Sequence, residues 1–386
     1  MKHIPLSLYI HIPWCEKKCP YCDFNSHLAR TEVDEKAYVD QLLSDLDNEI
    51  ELLGSSIGER EVQTIFIGGG TPSLFNAPSY DHLFSGLRQR LAFSADIEIT
   101  LEANPGSSES EKFKGFRQAG INRLSIGIQS FNQGHLTSLG RVHNSQEALK
   151  AAEFARDAGF DNMNLDLMFG LPSQNIDQAL SDIKQAIALS PTHLSCYQLT
   201  IEPNTLFHHS PPITPDDELL WYMQERLKSE LANNNYSQYE VSAYSKPGKR
   251  CRHNLNYWQF GDYLGIGAGA HSKITLNNGD ISRNWKIKHP NTYIERDNKI
   301  GGINLVPAQQ IPFEFMMNAL RLNDGFELST FVSRTGLPID SITPLLDQHR
   351  SQGLIEVSEH QIKPTVFGHD MVNSMLEDYL SFDASL

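Results

Sequence analysis

Cysteine is scarce, with five residues in 386 and an odd count. Cys196 and Cys251 stand alone, so no disulfide framework is expected, and a chain this long buries a core without one. That usage points to a reducing compartment, and the expected location is cytoplasmic. No run of eighteen apolar residues occurs, so an integral membrane protein is not expected. Positive charge is short as well: 32 Lys and Arg against 47 Asp and Glu leave a formal net charge of −15. The basic footprint of a nucleic-acid binder is missing, and no nucleic-acid partner is expected. The opening "MKHIPLSLYIHIPW" has no small-residue cleavage site, and its apolar residues alternate around a histidine and a proline. It reads as a first strand rather than a signal peptide.

What is present is a repeated alternation. The β-rich runs at 7–12, 62–67, 97–102, 122–128, 162–169 and 193–199 are separated by stretches with apolar residues at three-to-four spacing. Six such βα steps imply parallel pairing with right-handed crossovers, in a doubly wound sheet or a barrel. Six units rather than eight favour an α/β partial (β/α)6 barrel, with its chemistry at the C-terminal strand ends. The pattern suggests a barrel over 1–235, a barrel-capping segment over 236–300, and a C-terminal α+β region over 301–386. The last ends like a winged helix, with two short helices across "TGLP" and then a polar hairpin. Its second helix carries Asp340 and Asp347 against Arg350, which favours packing or partner contact over DNA.

The strand ends carry the chemistry. After the first strand, Cys15, Cys19 and Cys22 fall within "CEKKCPYC", a spacing that lets three thiolates converge on a metal centre. Structural zinc completed by His27 or His11 is one reading. A four-iron cluster with one iron left open is the other. The second strand ends in "GGGTPS" (68–73), either a tight turn or anion nest, or a place where a ligand approaches the backbone closely; the Lys of a phosphate-binding loop is absent. Glu102, Gln129 and Asp166 end or occupy the next strands, and Arg141 follows in "LGRVH". Together they suit a ligand with an amino-acid end, a ribose and a positive centre. Farther on, "RHNLNYW" (252–258) offers His253 as an axial haem ligand with Tyr257 and Trp258 as flat apolar partners, or else a capped turn with buried aromatics.

The linked motifs "YIHIPWCEKKCPYCDF", "GGGTPS", "LEANPG", "GIQSF" and "HNLNYW" closely resemble those of the radical S-adenosylmethionine superfamily. Within it they resemble the oxygen-independent coproporphyrinogen oxidase-like group, and most closely its haem chaperones; the likeness covers essentially the whole chain. It implies a [4Fe-4S] cluster on Cys15, Cys19 and Cys22, its fourth iron chelated by S-adenosylmethionine. Tyr9 and Tyr21 would lie beside that cofactor, and Gly69, Gly70 and Thr71 would bind its methionyl part. Glu102, Gln129, Arg141 and Asp166 match positions lining the cofactor region; Thr200 and His271 are weaker candidates. The H-N-x-x-Y-W motif implies haem at His253, Asn254, Tyr257 and Trp258. The implied function is haem binding and delivery to acceptor apoproteins, with an electron donor for the cluster. The rival is an oxygen-independent coproporphyrinogen III dehydrogenase. True oxidases of that group continue to a fourth cysteine, where this chain has Phe24 after Asp23, and this chain also departs from them at His271. Both differences favour the haem carrier.

Overall fold

The structure, a computed structural model, describes residues 4–58, 60–106 and 111–381. The six expected strands form: β1 (Leu6–Ile12), β2 (Val62–Gly69), β3 (Phe93–Ala103), β4 (Arg123–Gln129), β5 (Met163–Phe169) and β6 (His193–Gln198). They pair in parallel in chain order. Helices follow them in turn: α1 (Glu35–Leu53), α2 (Ala77–Arg88), α3 (Phe113–Ala119), α4 (Ser145–Asp157), α5 (Ile176–Ala188) and α6 (Asp217–Asn233). Capping boxes start α4 and α5, where Asn144 with Glu147 and Asn175 with Gln178 satisfy the first-turn donors.

The stretch 236–300, expected to cap the barrel, adds strands to both edges of the sheet. On one side β7 (Ser237–Glu240) and β8 (Ala243–Ser245) continue antiparallel from β6. On the other, β9 (Asp262–Ile266) pairs parallel with β1, and β10 (His271–Thr275), β11 (Ile281–Lys286) and β12 (Ile300–Leu305) add antiparallel strands. The order is β12-β11-β10-β9-β1-β2-β3-β4-β5-β6-β8-β7, with seven parallel strands rather than six. β9 escaped the sequence reading because "DYLGI" is buried at every position and shows no alternation to reveal its partner. Between the two groups, α7 (Arg252–Trp258) crosses the N-terminal ends of β1 and β2 as a floor.

The strands alternate. Leu8, Ile10, Ile65, Ile67, Leu101 and Ile126 share one apolar core with α1 and α2 residues such as Tyr38, Leu42, Leu83 and Phe84. The intervening side chains are polar or aromatic: Tyr9, Phe66, Glu102, Ser125, Asp166 and Tyr197. Parallel strands with both faces packed read as continuous apolar runs. Here the second face lines a chamber, where Tyr197 remains 43% exposed.

A buried ion cluster ties the added strands to the first helix. Asp45 and Glu49, one turn apart on α1, meet Lys286 of β11, whose Nζ lies 2.7 Å from Asp45 Oδ1 and 2.5 Å from Glu49 Oε1; all three side chains are fully buried. Tyr293 donates its hydroxyl to Asp45 Oδ2 at 2.7 Å, and Asn284 its amide to Glu49 at 3.1 Å.

The C-terminal region packs around its own core of Phe315, Phe331, Leu346 and Ile362, joined by Phe260 and Ile281 from the sheet domain. It runs α8 (Ile311–Ala319), β13 (Phe326–Glu327), α9 (Leu328–Thr335), α10 (Thr343–Ser351), the hairpin β14 (Ile355–Val357) and β15 (Gln361–Pro364), then α11 (Val372–Ser381). With a three-stranded sheet ordered β13-β15-β14, this is the winged-helix arrangement anticipated. Among the described residues, no helix is long and apolar enough to cross a membrane.

Candidate cofactor site

The loop after β1 is anchored at both ends. Trp14 and Cys15 pair in parallel with His27 and Leu28, so the chain leaves and returns at one place. Within it, Cys15, Cys19 and Cys22 are free thiols lining one cavity of about 390 Å³. Thr71 hydrogen-bonds the Cys15 thiol, Ser26 Oγ lies 3.7 Å from Cys22 Sγ, and the Arg141 guanidinium 3.8 Å from Cys19 Sγ. Burial pushes the Cys15 and Cys22 thiols up from their ordinary range.

These thiols suit a cluster better than a single ion. A four-iron cluster takes each thiolate on a different iron, so the sulfurs need to share a cavity rather than a point. Neither histidine considered for zinc joins them. His11 bonds Tyr9 and the Asn25 carbonyl, and His27 bonds Asn25 Oδ1 at 3.3 Å.

The glycine turn after β2 is built differently from an anion nest. Gly69 N–H donates to Glu102 Oε2 (3.1 Å), Gly70 N–H to the Ile12 carbonyl (2.7 Å) and Thr71 N–H to the Trp14 carbonyl (2.7 Å). All three amides are satisfied by the protein, which removes the nest reading. The glycines are needed for close approach: Gly69 has φ +117°, and a Cβ on Gly70 would lie 2.4 Å from the Trp14 carbonyl oxygen. The turn is thereby locked onto the cysteine loop, and Gly69, Gly70 and Thr71 line the same cavity as the thiols.

Tyr21, Glu102, Gln129, Arg141, Asp166 and Thr200 line it too. Arg141 is held by Asn104 Oδ1 and the Gly127 carbonyl, both at 2.7 Å from its Nη2, and Gln129 adopts a left-handed φ of +66° as β4 ends. Asp166 accepts from Ser125 (3.1 Å) and Asn164 (2.8 Å). Burial, and then the neighbouring Asp166 carboxylate, raise Glu102 to about 7. Tyr9 and His271 line an adjoining cavity, of about 480 Å³, that shares Gly69 and Glu102 with the first. Asn104, Ser125 and Tyr197 were not singled out in the sequence. The signal was available, since each stands on or just after a strand at a chamber-facing position.

A raised carboxyl pKa favours folding while the group is protonated, and that contribution is lost as pH rises through the folded value. The cofactor-free chain is therefore expected to lose stability from about pH 4.5 through about 7. Glu102→Gln should flatten that slope in urea unfolding measured across pH; an unchanged slope would assign it to other groups.

His253, Asn254, Tyr257 and Trp258 lie elsewhere, on α7 at the floor. Thr64, which contacts His253, precedes Gly69 by five residues, about 16 Å along β2. His253 N–H donates to Glu98 Oε1 (3.1 Å), its Nδ1 lies 2.9 Å from Thr64 Oγ1, and its ring packs 5.2 Å from Phe66. Burial, helped by the Arg123 charge, pushes the imidazole down to about 3, so it is neutral at physiological pH. Tyr257 packs on Tyr263 and Trp258, and Arg321 lies 4.4 Å over the Trp258 ring. The two motifs thus lie toward opposite ends of β2, the glycine turn after its C-terminal end and His253 against Thr64 near its start. An aromatic file spans the gap, from His253 to Phe66, from Phe66 to Tyr9 at 6.4 Å, and from the Tyr9 hydroxyl to His11 Nδ1 at 3.0 Å.

Parallel strands, three thiols after the first and a glycine turn after the second define a radical S-adenosylmethionine protein. The model of the radical SAM superfamily matches residues 9–186, and that of the HemN C-terminal domain residues 306–368. The heme chaperone HemW of Escherichia coli (strain K12) is 50% identical over 98% of each chain, and that of Bacillus subtilis (strain 168) is 34% identical over 97% of this chain and 99% of its own. The chain belongs to the HemW family of radical SAM proteins. Coproporphyrinogen III oxidase HemN from Escherichia coli has the same fold, with a TM-score of 0.81 at 24% identity over 98% of this chain and 91% of that one. Radical SAM membership implies a [4Fe-4S] cluster and S-adenosylmethionine.

Proposed function

We propose that this protein binds haem and delivers it to acceptor apoproteins, carrying a [4Fe-4S] cluster and S-adenosylmethionine. The observation that carries this reading is the 50% identity, over essentially the full length, to a protein named as a heme chaperone. Cys15, Cys19 and Cys22 hold the cluster. Tyr9, Tyr21, Gly69, Gly70, Thr71, Glu102, Gln129, Arg141 and Asp166 surround S-adenosylmethionine, which completes the cluster in place of a fourth protein ligand. Bound together, the two supply one-electron reductive cleavage of a sulfonium bond, fed by an electron donor in the cytoplasm.

The chain's own residues bind and orient. Arg141 brings positive charge beside Cys19, and the satisfied glycine turn keeps the cavity wall rigid against the cysteine loop. At the floor, His253 supplies a neutral imidazole to the haem iron, with Asn254, Tyr257 and Trp258 as its motif neighbours. Its Nε2 makes no hydrogen bond to the described residues, and that free nitrogen supports the fit to an axial ligand. Phe24, 62% exposed at the rim of the cavity where the oxidase pattern has a cysteine, gives no fourth thiol for the dehydrogenase reading.

After anaerobic reconstitution, the protein is expected to bind haem and pass it to an apoprotein acceptor, without converting coproporphyrinogen when given S-adenosylmethionine and a reductant. His253→Ala should weaken haem binding roughly tenfold or more and remove the histidine-ligated spectrum. Robust protoporphyrinogen formation would establish the dehydrogenase instead.

A further inference from the structure

Below His253 runs a short chain of buried hydroxyls. Thr64 and Ser7 are each 1% exposed and stand side by side on β2 and β1, with Thr64 Oγ1 2.8 Å from Ser7 Oγ and 2.9 Å from His253 Nδ1. Ser7 Oγ also accepts from Asn256 Nδ2 at 2.8 Å. The orientation of that amide is secured by its other contact, 3.0 Å to the Asp262 carbonyl, an oxygen that only accepts. Asn256 belongs to the same helix as His253, so α7 rests on this pair of hydroxyls at two points.

The directions of these bonds decide the state of the imidazole. Thr64 gives its single proton to Ser7. Its oxygen then accepts the proton on His253 Nδ1. Ligation of a metal through Nε2 requires the Nδ1–H tautomer, and Thr64 Oγ1, 2.9 Å from Nδ1, is placed to accept that proton while giving its own to Ser7. Were the chain reversed, with Ser7 donating to Thr64 and Thr64 to Nδ1, the proton would sit on Nε2 and block it. A metal-binding histidine commonly fixes its ligating nitrogen by donating the other N–H to a second group, which also raises its basicity.

We propose that Thr64 is the positioning residue for His253, fixing through its hydroxyl, relayed to Ser7, the tautomer that presents Nε2 to a haem iron. This rests on the reading of His253 as the haem ligand and adds to it the group that sets that ligand's protonation and aim. Asn256, on the same helix, donates to Ser7 Oγ and so helps hold α7 on its seat.

The test uses the full chain titrated with haem. It follows the Soret band for affinity and the iron–histidine stretching band of the ferrous form by resonance Raman. Thr64→Val removes the hydroxyl while keeping shape, and is expected to weaken haem binding about 10- to 100-fold and to lower the stretching frequency. Thr64→Ser restores the hydroxyl and should restore both. Ser7→Ala takes away the acceptor that directs the Thr64 proton, and should move both readouts in the same direction as Thr64→Val. Wild-type affinity and frequency in Thr64→Val overturn the proposal. Should that variant not fold, the same result in Ser7→Ala overturns it. His253→Ala separates the two levels: if it retains the wild-type spectrum, the ligand assignment and this proposal both fall, whereas its loss beside an unchanged Thr64→Val removes only the role of Thr64.

Discussion

Lys286→Met is expected to destabilise the protein by about 3–5 kcal/mol, read from denaturant unfolding. The side chain is fully buried between Asp45 and Glu49, at 2.7 and 2.5 Å, and its removal leaves two carboxylates without a counter-charge in a site closed to water. Tyr293 and Asn284 still donate to them, but neutral hydrogen bonds replace a cation poorly when the acceptor is ionised. The variant Lys286→Met/Glu49→Met removes one charge of each sign and should recover part of the loss, with a coupling of about 1–3 kcal/mol in the double-mutant cycle. The location explains why the effect should be large. α1 belongs to the first βα step, whereas β11 is added some 230 residues later, so this cluster is a principal fastening between early and late chain. A single variant within about 1 kcal/mol of wild type would show instead that water or relaxation compensates the carboxylates.

Cys15→Ala, Cys19→Ala and Cys22→Ala should each abolish the broad visible absorbance and the bound iron and sulfide after anaerobic reconstitution. Cys196→Ala and Cys251→Ala should leave them intact. The contrast is geometric. The first three thiols share one cavity wall, while Cys196 lies in the apolar core of the sheet domain and Cys251 at the floor, within 3.7 Å of Glu98. On the proposed assignment each of the three thiolates would hold a different iron, so loss of any one would leave an iron without a protein ligand. Wild-type iron and sulfide in any of the first three variants would remove that cysteine from the ligand set.

The cysteine triplet, the glycine turn and the six βα steps were legible because each is local. Strand–helix alternation is a period in the chain, and three thiols within eight residues need no distant partner to meet. Glu102 and Asp166 were legible for a related reason: in a parallel sheet the residues at strand ends are brought together by the regular repeat itself. The acidic pair Asp45 and Glu49 was visible on the apolar stripe of α1, but its meaning was not, since the cation that answers it is far away in sequence.

Sequence alone therefore determined the class of fold, the cysteine loop and the family, all of which rest on short-range spacing. Only the tertiary structure decided three other matters. It placed the strands of 236–300 at both edges of the sheet, because strand pairing depends on partners that a short buried run does not disclose. It showed the amides of Gly69, Gly70 and Thr71 already satisfied by Glu102, β1 and the cysteine loop, because close approach is a property of two segments and not of one. It also set His253 on the floor, bonded to Thr64 and about 16 Å along β2 from the glycine turn, because a motif names a side chain but only packing gives it a direction.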